Sequence, residues 1–207
     1  MLDKQEDLAA PRNAPRPRPT TLRDALKHST DERHQALDAR LSALNLLKPE
    51  RRAEFCRIQL LGFRSLRAAC AGDAAEGSAV LHRQIDALEA ECGVEPEARN
   101  PTPVACLHPD AVAYVTLGAQ MGNAMMRRAL PEDQQTGPFG LEPDMAAWRA
   151  FCERMRSIDP DEAQAHSILR DARDAFSVFL AAADEVLGQP FPTEAETEAA
   201  LPVQAAS

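Results

Sequence analysis

Aromatic residues make up only 4% of the chain, and runs of Val, Ile, Thr and Tyr are missing. That shortage removes the usual material of β-strands. No run of about 18 apolar residues occurs, so the sequence offers no membrane span, and its start lacks the basic-then-apolar order of a signal peptide. The five cysteines, at 56, 70, 92, 106 and 152, form no CxxC pair. They read as reduced, mostly buried thiols of a cytoplasmic protein. Positive charge is also scarce. Against 32 Asp and Glu stand 23 Lys and Arg, a net charge of −9. Nucleic acid is therefore disfavoured as a partner, because phosphate binding needs a basic face.

What remains is helix material, dominated by Ala, Leu, Arg and Glu. Residues 1–20 interleave Pro and Arg, and residues 188–207 alternate Glu, Thr, Ala and Pro. Neither stretch can bury enough apolar surface to offset its ordering entropy, so both read as flexible tails. Residues 21–187 are then expected to form a single compact all-α domain of several helices. Thr21 and Asp24 have the capping-box spacing and open a first helix over 21–44. Pro49 suits the first turn of a second helix, which runs to about Ala71. A third spans 78–92 and stops at Gly93. A proline-bearing loop leads to a fourth over 110–130, and a shorter fifth follows over 144–157. Asp159-Pro160-Asp161-Glu162 is a start signal for the last, which runs to Leu187 and stops at Gly188.

Two stretches carry chemistry. A helix turns about 700° over seven residues, so Lys27 and His34 share a stripe to within about 20° and lie roughly 10 Å apart along the axis. Leu26, Leu37 and Leu41 give that side an apolar surround. A neutral imidazole, a cation and oily walls are the combination haem requires. A histidine beside an apolar stripe is also commonly a structural or surface residue. In the fourth helix, Gly118 and Gly122 stack one turn apart and bare a strip of backbone, each at about 1 kcal/mol of helix propensity. Such a strip serves either close helix packing or the approach of a ligand. His28, His82 and His166 sit among polar neighbours and His108 precedes a loop proline, so these four read as ordinary. Phe176 with Phe179 and Leu180, and Trp148 with Phe151 and Met155, form stripes of the core type.

The segment ALKHSTDERHQALD (25–38) resembles the proximal-helix motif of haem oxygenases, with Leu26, Lys27, Thr30, Glu32 and His34 in register. YVTLGAQMG (114–122) is similar to the distal helix of bacterial members, and ARDAF (172–176) to the closing helix. The resemblance implies a haem oxygenase-like fold with haem between the first, proximal helix and the glycine-bearing, distal one. It implies His34 as the iron ligand, Lys27 and Tyr114 near the propionates, Phe176 in the wall, and Gly118 and Gly122 crowding the oxygen side. The chain departs from the pattern at Leu117 and Ala119, where polar groups are usual, leaving Gln120 and Asn123 as nearby replacements. Trp148 and Cys152 stand where the family has basic propionate partners, with Arg149, Arg154 and Arg156 close by.

The implied activity is oxidative cleavage of haem, at once substrate and cofactor, to biliverdin, carbon monoxide and ferrous iron with O2. Electrons would come from a ferredoxin or a flavoprotein reductase, because the chain has no iron–sulfur spacing and no dinucleotide fingerprint. A non-catalytic haem-binding sensor or carrier on the same fold is the alternative. A related helical fold that binds another small molecule, with a structural His34, is the second.

Overall fold

The computed structural model describes residues 18–70, 77–93 and 105–188. Nearly all of the two expected tails therefore lies outside the described residues. Six α-helices make up the described chain: α1 (Leu22–Ser42), α2 (Pro49–Ala69), α3 (Ser78–Cys92), α4 (Pro109–Arg127), α5 (Met145–Arg156) and α6 (Ala163–Leu187). Two single 3-10 turns, Glu132–Gln134 and Gly137–Phe139, join α4 to α5. Strand-like pairing among the described residues is confined to one bridge between Cys70 and Leu107.

Local chemistry sets the helix ends. Thr21 caps α1, its hydroxyl accepting from the Asp24 amide at 3.2 Å and donating to the Asp24 carboxylate at 2.9 Å. Asp144 caps α5 by accepting from the Ala147 amide at 2.9 Å. Gly188 ends α6 with φ +67°, a left-handed conformation that suits glycine. Two expectations are corrected here. His108 is not a bland loop residue: its ring caps α4, accepting from the Asp110 amide at 3.1 Å. The last helix begins at Ala163 rather than at Pro160. Asp159 spends its side chain on the Asp161 amide at 2.9 Å, closing a turn before the helix starts.

Helix α6 is the spine on which α1, α2 and α4 all pack. Its Phe179 ring meets Phe63 of α2 at 5.0 Å between centroids. Gly62 leaves the room for this, since a Cβ there would lie 2.4 Å from the same ring. Helix α3 leans on α2. A second buried cluster joins Leu22 and Leu26 of α1, Leu117 of α4, Phe151 and Met155 of α5, and Ile168 and Ala172 of α6. Arg40 pairs with Asp184 to tie α1 to α6, and Arg154 with Asp110 at 2.8 Å to tie α5 to α4. No described helix is long and apolar enough to cross a membrane. The cysteines correct a further expectation: none of the five is in a disulfide, but only Cys56 and Cys152 are buried, while Cys70 and Cys92 are half-buried and Cys106 is exposed.

Candidate functional site

His34 projects from the middle of α1, more than half exposed, with Nδ1 2.9 Å from a carboxylate oxygen of Asp38. Asp38 stands one turn further along the same face. A carboxylate at Nδ1 holds the proton there and leaves the lone pair on Nε2, an arrangement that orients an imidazole for a metal. The edge of the same ring meets Phe176 of α6 at 5.4 Å between centroids.

Phe176 in turn meets Tyr114 of α4 at 6.4 Å, edge to face. Tyr114 stacks beside Trp148 at 6.4 Å and lies 6.2 Å from Phe151, both on α5. Its hydroxyl shares a 3.5 Å hydrogen bond with Thr30, one turn before His34. Burial holds the Tyr114 phenol above its ordinary pKa, against the Thr30 hydrogen bond and the nearby Arg23 charge. It therefore stays protonated, and it is the donor to Thr30, whose own hydroxyl donates to the Leu26 carbonyl at 2.8 Å. Three residues singled out from sequence, His34, Tyr114 and Phe176, thus meet in one aromatic chain that links α1, α6 and α4.

Gly118 and Gly122 continue along α4 from Tyr114 on the same face. A Cβ built on either meets nothing within 4 Å. Neither glycine serves close helix packing, the first role their spacing allowed. Both expose backbone to open space, and Met125 extends the strip further, 69% exposed.

The other candidates lie apart. Lys27 is exposed two turns before His34. Gln120 and Asn123 point into the protein on the opposite side of α4. Gln120 Oε1 accepts from the Asp144 amide at 2.9 Å. Asn123 and Gln59 exchange hydrogen bonds at 2.8 and 3.1 Å, and Asn123 also donates to Gln84 at 3.3 Å. Asn123 joins helices through its whole amide, while Gln120 spends only its carbonyl and leaves Nε2 buried without a partner. Since both lie on the buried side, the expected role of replacing lost polar groups beside Gly118 is corrected. Leu117 is fully buried. Arg154 is engaged by Asp110 and lies 5.5 Å over the Phe151 ring.

Asp38, Thr30 and Arg23 were missed as site residues. The first two stand at i+4 and i−4 from His34, and that spacing was the signal available. Among the described residues no group of three or more His, Cys, Asp or Glu is placed to hold a metal ion. A metal at His34 would therefore have fewer than three such protein ligands. Comparison with known proteins finds no match to this chain among family models, curated proteins or solved structures.

Proposed function

We propose that the chain binds haem against α1 with His34 as its iron ligand and opens the macrocycle to biliverdin, carbon monoxide and ferrous iron. The observation that carries this reading is the aromatic chain His34–Phe176–Tyr114, flanked by the bare backbone of Gly118 and Gly122. An imidazole with a carboxylate behind it suits a metal whose other ligands a macrocycle would supply. Phe176 supplies an apolar wall, and the glycines leave room for a flat group to approach α4. The residues fit haem on these grounds.

Bound haem would supply both the iron that handles O2 and the carbon skeleton that is cut. The chain's own contribution is positional. Asp38 fixes the tautomer of His34, so the imidazole presents Nε2. Tyr114 would turn its hydroxyl from Thr30 to reach the ring edge, and Lys27 offers a cation two turns from the ligand for an acid side chain. Dioxygen, a ferredoxin or flavoprotein reductase as electron donor, and a cytoplasmic setting complete the proposal.

One observation favours the second reading, a non-catalytic haem carrier or sensor. Gln120 and Asn123 are committed to the interior, and Ala119 has no polar group, so the glycine face lacks a side-chain donor near Gly118. One experiment separates the two readings. Haem is added, the Soret band recorded, and an electron-donating system supplied in air. Oxygenase activity replaces the Soret band with a bilin spectrum, whereas a carrier keeps it.

A further inference from the structure

The chain holds seven Phe but a single Tyr and a single Trp. Tyrosine and tryptophan are the aromatic side chains that give up an electron readily, whereas phenylalanine resists oxidation. Tyr114 and Trp148, the two such rings of the whole chain, stand together at 6.4 Å between centroids and 30° between planes. Tyr114 is the inner member, since its edge-to-face contact with Phe176 leads on to the His34 ring. Trp148 is the outer member. It lines a surface concavity of about 460 Å³ and backs onto the buried Phe151 at 6.0 Å and 16°. Both rings are only partly buried, so water reaches each of them. Burial keeps the Tyr114 phenol protonated, and Arg23 places a positive charge beside it. A neighbouring cation penalises a ring that keeps its proton after losing an electron, so electron and proton leave together.

We propose that Tyr114 and Trp148 form a redox relay that carries single oxidising equivalents from the candidate site to the surface. The oxidant is hydrogen peroxide reacting at the His34 face, and in that part the inference rests on the haem reading. One electron leaves Tyr114 for the oxidant, and the phenolic proton passes to water. Tyr114 then regains an electron from Trp148 and a proton from water, while the indole N–H gives its proton to water. A small reductant of the ascorbate or thiol class returns one electron and one proton to Trp148 in the concavity. Both rings end as they began. Two such turns deliver two electrons and two protons, which reduce one peroxide to two waters. An oxidant discharged this way does not attack His34.

Each ring is unique in the chain, so each radical has one source. In the ligand-free chain, pulse radiolysis with azide radical oxidises Trp148, and both radical absorbances are followed in time. The relay predicts that the indolyl band decays as the tyrosyl band grows, at a rate independent of protein concentration. In Tyr114→Phe the tyrosyl band is lost and the indolyl radical lives several-fold longer. Circular dichroism verifies that the variant folds. Indolyl decay that is unchanged in Tyr114→Phe overturns the relay and spares the haem reading. A second arm adds hydrogen peroxide to the haem-loaded chain and reads Trp148 oxidation by peptide mass spectrometry. Oxidised Trp148 is expected in the parent chain, less of it with ascorbate, and several-fold less in Tyr114→Phe. Equal Trp148 oxidation in parent and variant overturns the link to the site. A chain that binds no haem sinks the haem reading and that link together, while radical exchange in the azide arm still supports the pair.

Discussion

The two faces of α4 differ as sharply as any two regions of the molecule. Inward, Thr116, Gln120 and Asn123 are buried polar groups, and the Asn123 amide is locked to Gln59 and Gln84. Outward, Tyr114, Gly118 and Gly122 make a smooth strip that ends at exposed Met125. Ala111, Val112, Val115 and Leu117 share the buried side, as in any amphipathic helix, but the outer strip lacks the polar groups usual there. The inner amides specify how α2, α3 and α4 fit together. Tyr114 packs on Phe176 and Trp148, but beyond it Gly118 and Gly122 touch nothing. That bare stretch, with no packing duty, is where a flat, apolar ligand can lie.

Substitutions can break this contrast, and the largest effect belongs to the inner face. Asn123→Ala strands the Gln59 and Gln84 amides in the core, and each buried unsatisfied group is costly. The expected loss is about 2–4 kcal/mol by urea denaturation, with haem affinity unchanged in whatever fraction stays folded. Glycine replacements sharpen the contrast next. Gly62→Ala forces Phe179 aside and costs about 1–3 kcal/mol from overpacking. Gly118→Ala meets open space and gains up to about 1 kcal/mol of helix propensity, so its melting temperature rises. A fall at Gly118 as large as that at Gly62 would mean that the outer strip is packed after all.

Thr116→Val is expected to be stabilising by about 1 kcal/mol, read from the denaturation midpoint. The Thr116 hydroxyl is buried without a partner, so valine removes an unmet polar group at little change in shape. Tyr114→Phe should have the smallest effect on folding, about 0.5 kcal/mol, since the hydroxyl's hydrogen bond to Thr30 is long. Haem affinity should drop a few-fold if that hydroxyl serves an acid side chain.

Much of the architecture was legible because it rests on local chemistry. Thr21 with Asp24, Pro49 and Gly188 mark helix ends through signals that depend on neighbours a few residues away. Periodicity placed His34 and placed Gly118 beside Tyr114. Direction relative to the rest of the protein was not legible. Gln120 lies two residues from Gly118 in sequence, yet the 200° turn between them sends one inward and the other outward. Which side faces the core depends on α2 and α3, far away in the chain. The start of α6 failed for a local reason, because Asp159 caps a turn as readily as a helix.

The central claim is that His34 is an iron ligand, and a haem titration of the parent chain and of His34→Ala tests it most directly. The variant loses one half-exposed side chain and its edge contact with Phe176, so its helical circular dichroism should persist with a stability change of about 1 kcal/mol. The prediction is a ferric spectrum of axial imidazole ligation in the parent chain that disappears in His34→Ala and returns in part when free imidazole is added. An identical haem spectrum in the two proteins, or no haem binding by the parent chain, would contradict the account.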